Sequence, residues 1–216
     1  MTVLPFVTPE DRRTAAPRVA DHLGADGLLA YPTETVYGLG SRARAADVAA
    51  LSRLKGRTAG KPFLLLISHR RMAEAARLLF TPAANALAEA CWPGPLTLIL
   101  PGGGGLPDSL RGPEGGIAVR WTSHRGMAEL IAFLGEPLTS TSANRPGGPT
   151  APGVGAIVEL FGAAVGAGQL LVLDGGVLGN VPPSTVVDCT ARNPRIVREG
   201  ALPRAELHQR VGSFAP

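Results

Sequence analysis

The chain has 216 residues, 45% apolar and 18% charged, enough to bury a sizeable core and too apolar for global disorder. Its net charge of +4 permits an anionic partner without requiring nucleic acid, and its 28 glycines and 20 prolines call for many tight turns between short elements. Cys91 and Cys189 match no zinc or redox spacing, and neither a signal peptide nor a membrane span is visible, so a reduced, cytoplasmic setting is expected.

In chain order, Thr8-Pro9-Glu10-Asp11 reads as a helix start, with a hydroxyl cap, Pro in the first turn and acids at the positive end of the dipole. That helix should run to about Gly24, strained by Pro17. Gly27–Tyr31 is a short apolar strand. Asp47–Leu54 is helical and stops at Gly56. Phe63–Ile67, an unbroken apolar run, predicts a strand buried on both faces. Arg70–Leu79 and Ala83–Cys91 read as helices, Leu96–Leu100 and Ile117–Arg120 as strands flanking a flexible Gly102–Gly105 turn. Helices over Ser123–Leu134 and Val154–Phe161 and strands over Leu170–Leu173, Thr185–Val187 and Arg195–Val197 complete a mixed α/β pattern.

The cations are unevenly composed. Of 21, only Lys55 and Lys61 are lysines, with Arg57 between them, and no Asp or Glu occurs from Val48 to Ala73. Unpaired cations beside a buried strand call for an anion from elsewhere, each pairing at 4 Å worth about 4 kcal/mol before desolvation. A polyphosphate or carboxylate fits an Arg fork flanked by two point charges. The plainer alternative is a solvated basic loop. Pro62 stands where a Walker loop would carry its hydroxyl, so this is not that motif.

Three further segments offer polar groups. Tyr31–Gly40 places Thr33, Glu34 and Thr35 at a strand's carboxyl end, where open α/β sheets bind ligands, although pattern alone favours an ordinary turn with Thr33 and Glu34 satisfying local backbone. Thr139–Asn144 concentrates hydroxyls and an amide before a turn, suited either to phosphate oxygens or to local capping. Arg120 closes an apolar strand, with weaker signals of the same kind at Ser184–Asp188 and Arg198-Glu-Gly200. The four histidines have no ligand spacing, and no Ser-His-Asp or paired-carboxylate arrangement appears.

Together with Trp92-Pro-Gly-Pro-Leu-Thr97, Ala118-Val-Arg120 and Ser142-Ala-Asn144, these segments resemble, in this order, the YrdC/TsaC family of L-threonylcarbamoyladenylate synthases. The likeness runs from about residue 27 to 202. It implies one domain over 1–216, a twisted mixed β-sheet flanked by helices around a large positively charged cavity. It also implies a nucleotidyltransferase that makes threonylcarbamoyl-AMP and pyrophosphate from L-threonine, bicarbonate and ATP for threonylcarbamoyladenosine in tRNA.

By position, the resemblance gives Lys55, Arg57, Lys61, Ser142, Asn144 and Arg198 to ATP, with Lys55 and Arg57 as the catalytic pair. Thr35, Arg120 and Ser184 go to threonine, Arg120 taking its carboxylate. Magnesium is expected on the ATP phosphates, with no metal ligand from the protein. TRNA-modification proteins are implied as partners. Pro146 departs from the Ser usual in the family and should alter the phosphate contact of its loop. The chain stops soon after Arg198, which implies a short form without the second domain of longer relatives.

Two rivals share these features. A basic concavity could hold tRNA or double-stranded RNA without ATP turnover, but aromatics are only 5% and few are placed to stack bases. The related domain of hydrogenase-maturation carbamoyltransferases comes with zinc-type cysteine pairs, which this sequence lacks.

Overall fold

The computed structural model describes residues 2–56 and 62–212. Ten strands form a single sheet: β1 (Val3–Pro5), β2 (Leu28–Tyr31), β3 (Gly38–Gly40), β4 (Leu64–Ile67), β5 (Leu96–Leu100), β6 (Ile117–Trp121), β7 (Leu138–Ser142), β8 (Leu170–Asp174), β9 (Thr185–Asp188) and β10 (Arg195–Arg198). Their order is β1-β8-β2-β3-β7-β4-β6-β5-β9-β10. The pairs β1/β8, β2/β8, β4/β6 and β5/β9 are parallel and the others antiparallel, so the sheet is mixed as expected.

Helices α1 (Pro9–Gly24), α2 (Ala45–Lys55), α3 (Arg70–Ala75), α4 (Pro82–Cys91), α5 (Arg125–Leu134), α6 (Val154–Gly166) and α7 (Arg204–Val211) accompany the sheet. Helix α1 begins where its cap residues dictate. The Thr8 hydroxyl accepts from the Asp11 amide at 3.1 Å and the Asp11 carboxylate accepts from the Thr8 amide at 2.8 Å, a capping box worth about 1 kcal/mol. The helix continues through Pro17, at the expense of one backbone bond, because Ala15, Ala16, Val19 and Leu23 bury its inner face. Helix α2 stops at Gly56, whose left-handed φ of 62° lets its amide close the last turn.

All four residues of β2 are fully buried, as are Leu65, Leu66 and Ile67 of β4. Each such leucine contributes about 2 kcal/mol of burial. One continuous core connects these strands with α1, α4 and α5.

Several expectations need correction. The helix expected over Arg70–Leu79 ends at Ala75, and Arg77 takes a left-handed φ of 58° before Leu78 bridges to Gly102. The Gly102–Gly105 turn, read as flexible, is pinned by Arg111, which donates to the carbonyls of Gly102 and Gly103 at 2.8 and 3.0 Å. The helix expected over Val154–Phe161 extends to Gly166 across a break at Phe161. Strands β1, β3 and β7 and helix α7 were not anticipated. Two of them, β3 and β7, join the halves of the sheet at its centre.

Candidate active site

One face of the sheet floors a cavity of about 410 Å³. Alternate residues supply it: Thr97 and Ile99 on β5, Ala118 and Arg120 on β6, Ser140 and Ser142 on β7, Ser184 and Val186 at β9. Their in-between neighbours Leu98, Val119 and Thr185 are fully buried on the other side, as is Thr139 before Ser140, whereas Thr141 also lines the cavity. Register keeps the alternation aligned across strands, with Leu64 opposite Ser140, Ile99 opposite Ala118 and Thr97 opposite Val186. Gly38 faces Ser142 there; a Cβ at Gly38 would come within 2.9 Å of the Tyr31 ring.

Strand β10 departs from regular pairing to complete the site. Ile196 lies opposite Val187, but Arg198 rather than Val197 lies opposite Val186. The bulge leaves Val197 52% exposed and aims Arg198 into the cavity beside Val186. Arg198 then grips the Ser184 carbonyl through Nη2 at 2.8 Å and Nε at 3.2 Å. The Ser184 hydroxyl in turn pairs with Thr97 at 2.8 Å.

The opposite wall is the end of α2 and the turn after β7. Lys55 is 6% exposed, and its ammonium donates to the carbonyls of Ser142 at 2.6 Å and Asn144 at 2.5 Å, and to Oδ1 of Asn144. Asn144 also accepts from the Ser142 hydroxyl at 2.7 Å and donates to the Gly148 carbonyl at 2.6 Å. Lys55 thereby shapes this turn besides bringing charge to the cavity.

The third wall is the β2–β3 connection. The Thr33 hydroxyl accepts from the amides of Thr35 and Val36, both at 3.2 Å, and donates to the Val36 carbonyl at 2.7 Å, which folds the segment over the floor. The Thr35 hydroxyl accepts from Nη1 of Arg120 at 3.3 Å. Glu34 lies behind Arg120, its Oε1 3.7 Å from Nε, and its Oε2 accepts from the Thr122 hydroxyl at 2.6 Å.

Among the described residues, Lys55, Arg120 and Arg198 line the cavity and no Asp or Glu does. Burial, with the neighbouring Arg120 charge, pushes the Arg198 guanidinium down from its ordinary value. Two cations held close in a half-closed space are stabilised by an anion between them.

The structure brings Lys55, Ser142, Asn144, Arg198, Thr35, Arg120 and Ser184 to this single cavity. Arg57 and Lys61 lie outside the described residues. Pro146 lines the wall as well. Sequence reasoning gave no role of their own to Thr97, at the end of the Trp92–Thr97 motif, or to Ser140, inside the Thr139–Asn144 cluster, and its plainer alternative made Glu34 a local turn residue, although it reaches Thr122 and Arg120.

Residues 21–200 match the Sua5/yciO/yrdC family model, described as "Telomere recombination". The chain belongs to the Sua5/YciO/YrdC family. The threonylcarbamoyl-AMP synthase of Thiobacillus denitrificans is 39% identical over 182 residues, 84% of this chain and 94% of the relative. A crystal structure of P. abyssi Sua5 complexed with L-threonine superimposes with a TM-score of 0.88 at 30% identity, covering 99% of this chain and 62% of that one. The E. coli YciO crystal structure gives 0.80 at 27% identity, covering 92% and 94%. This Sua5/YciO/YrdC chain therefore spans less than two thirds of the archaeal Sua5 it overlays and nearly all of YciO.

Proposed function

We propose that this cavity is the active site of a threonylcarbamoyl-AMP synthase, which converts L-threonine, bicarbonate and ATP to threonylcarbamoyl-AMP and pyrophosphate. The observation that carries the reading is a cavity with three cations, no lining acid among the described residues, and converging hydroxyls from Thr35, Ser142 and Ser184. An amino acid offers one carboxylate and ATP a polyphosphate. The cations of the cavity answer both.

In the reaction, the threonine amine and bicarbonate condense to a carbamate with loss of water. A carbamate oxygen then attacks the α-phosphorus of ATP, and pyrophosphate leaves with the electron pair. No protein nucleophile takes part, so the chain's contribution is alignment and neutralisation of charge. Arg120 takes the threonine carboxylate, with the Thr35 and Ser184 hydroxyls orienting the rest of the amino acid. Ser142, Asn144 and Arg198 receive the nucleotide, and Lys55 supports the phosphates through its charge and through the turn it shapes. Arg57 and Lys61 are assigned to the phosphates by their place in the motif.

Hydroxyls, an amide and guanidinium groups are poor ligands for a bare divalent cation, and no cluster of His, Cys, Asp or Glu among the described residues could hold one. Magnesium, which would neutralise phosphate charge, is thus expected to come with ATP and water.

We read residues 1–216 as one unit acting in the cytoplasm, where the buried free thiols Cys91 and Cys189 stay reduced, and handing its product to tRNA-modification proteins. The test follows pyrophosphate release from ATP with threonine or bicarbonate omitted in turn. Release should require both. Release indifferent to threonine, or tight salt-dependent RNA binding without turnover, would overturn the reading.

A further inference from the structure

Lys55 is not the only cation joining α2 to the turn after β7. Arg145, next to Asn144, reaches in the reverse direction: its Nη1 donates to the Leu54 carbonyl at 3.3 Å. Its Nη2 donates to the Leu160 carbonyl at 2.6 Å, beside the break in α6 at Phe161. The guanidinium carbon lies 4.9 Å from the centre of the buried Phe161 ring. The ring of Pro146 covers Gly56, its Cγ 4.0 Å from where a Gly56 Cβ would stand.

Three consecutive residues at the end of α2 therefore meet three consecutive residues of the turn. Lys55 donates forward into the turn, Arg145 donates back into the helix end, and Pro146 packs on the glycine that closes the helix. The two donors differ in setting: Lys55 is buried at the cavity wall, whereas Arg145 lies on the outer surface.

We propose that Arg145 is a positioning residue for the nucleotide half of the site, locking the helix end that carries Lys55 to the turn that carries Ser142 and Asn144. The proposal rests on the synthase reading for the identity of the nucleotide. Arg145 touches no substrate. It acts by holding two cavity walls in register against α6, and the threonine half, built on the β2–β3 connection, β6 and the start of β9, does not depend on it.

The experiment compares wild type with Arg145→Ala and Arg145→Lys. Hydrogen exchange at the Asn144 and Gly148 amides, bonded to Ser142 and Arg145 carbonyls at 3.0 Å, reads the turn directly. Calorimetric binding of ATP and of L-threonine reads the two halves separately. In Arg145→Ala, exchange at those amides should quicken about tenfold and ATP affinity fall about tenfold, with threonine affinity unchanged. Arg145→Lys, which can reach one carbonyl but not two, should recover part of both losses. Unchanged exchange would overturn the proposal, and so would faster exchange with unchanged ATP affinity or an equal loss for threonine. Should Arg145→Ala fail to fold, Arg145→Lys carries the same comparison. A wild type that releases no pyrophosphate on adding threonine would refute the synthase reading instead, and the exchange result would still decide the role of Arg145.

Discussion

Glu34 Oε1 and Arg120 Nε face each other at 3.7 Å, their side chains 15% and 5% exposed, and neither atom has a hydrogen-bond partner among the described residues. The carboxylate is anchored from its other side by Thr122, whose hydroxyl also accepts from the His124 amide at 3.1 Å where α5 begins. Glu34 thus ties the Arg120 guanidinium to a fixed helix end and leaves Nη1 on Thr35 at the cavity.

Replacing Glu34 by Gln keeps the shape and the Thr122 bond but removes the charge that orients Arg120. The loss of orientation should outweigh the gain in net positive charge, because Arg120 is already desolvated and must find another partner. The KM for threonine should rise about fivefold, or about 1 kcal/mol, with the KM for ATP unchanged. A fall in the threonine KM would show that Glu34 weakens carboxylate binding instead.

Lys55→Met removes the ammonium from three oxygens. The Ser142 and Asn144 carbonyls and the Asn144 amide oxygen lose a buried donor, a cost of about 1–3 kcal/mol. The urea midpoint should drop accordingly, and pyrophosphate release should fall at least about tenfold, equal to 1.4 kcal/mol in the barrier. Wild-type rates in a destabilised variant would confine Lys55 to holding the turn.

Gly200 allows the segment after β10 to approach the start of β9. A Cβ there would stand 2.0 Å from the Pro183 carbonyl oxygen and 2.8 Å from the Ser184 carbonyl, both backbone atoms without freedom to swing away. Gly200→Ala should destabilise the protein by about 1–3 kcal/mol and, by displacing Ser184 and Arg198, reduce turnover more than a remote substitution of equal thermal cost. Thr8→Ala, which loses only the α1 cap, is the matched control.

Burial raises the phenol of Tyr31 from 10 to about 12, its hydroxyl donating to the Thr139 carbonyl at 3.0 Å. Tyr37 is raised too, first by burial. The unfolded chain releases these protons near pH 10 while the folded chain retains them, so stability is fully present below pH 10 and falls as pH rises toward 12. Denaturant titrations at pH 8, 10 and 11 should show that decline, with tyrosinate absorbance appearing at higher pH in the folded protein than in the unfolded chain. Tyrosinate absorbance rising at the same pH in the folded and the unfolded protein would contradict it.

Much of the architecture is readable from short windows of sequence. Thr8 and Asp11 cap α1, Gly56 ends α2, and the apolar run before Ser68 makes a buried strand, because these signals act through bonds and side-chain faces within one or two turns of chain. The residues of the candidate site are also legible, as cations without acids nearby in sequence and as clustered hydroxyls between apolar runs. Strand β7 is not. Its Leu138-Thr-Ser-Thr-Ser sequence has no apolar alternation and reads as a capped turn, yet it pairs with β3 and β4 in the middle of the sheet.

Its partners explain the difference. Tyr31 bonds the Thr139 carbonyl from 108 residues away, and Thr139 and Ser41 exchange bonds across 98. The same holds for Arg198, which reaches the cavity only because β10 bulges at Val197, and for the mutual clamp of Lys55 and Arg145. Composition and local pattern state which residues need an anion. Which of them face one another follows from strand register and long-range hydrogen bonds, whose energy exists only once distant segments have been brought together.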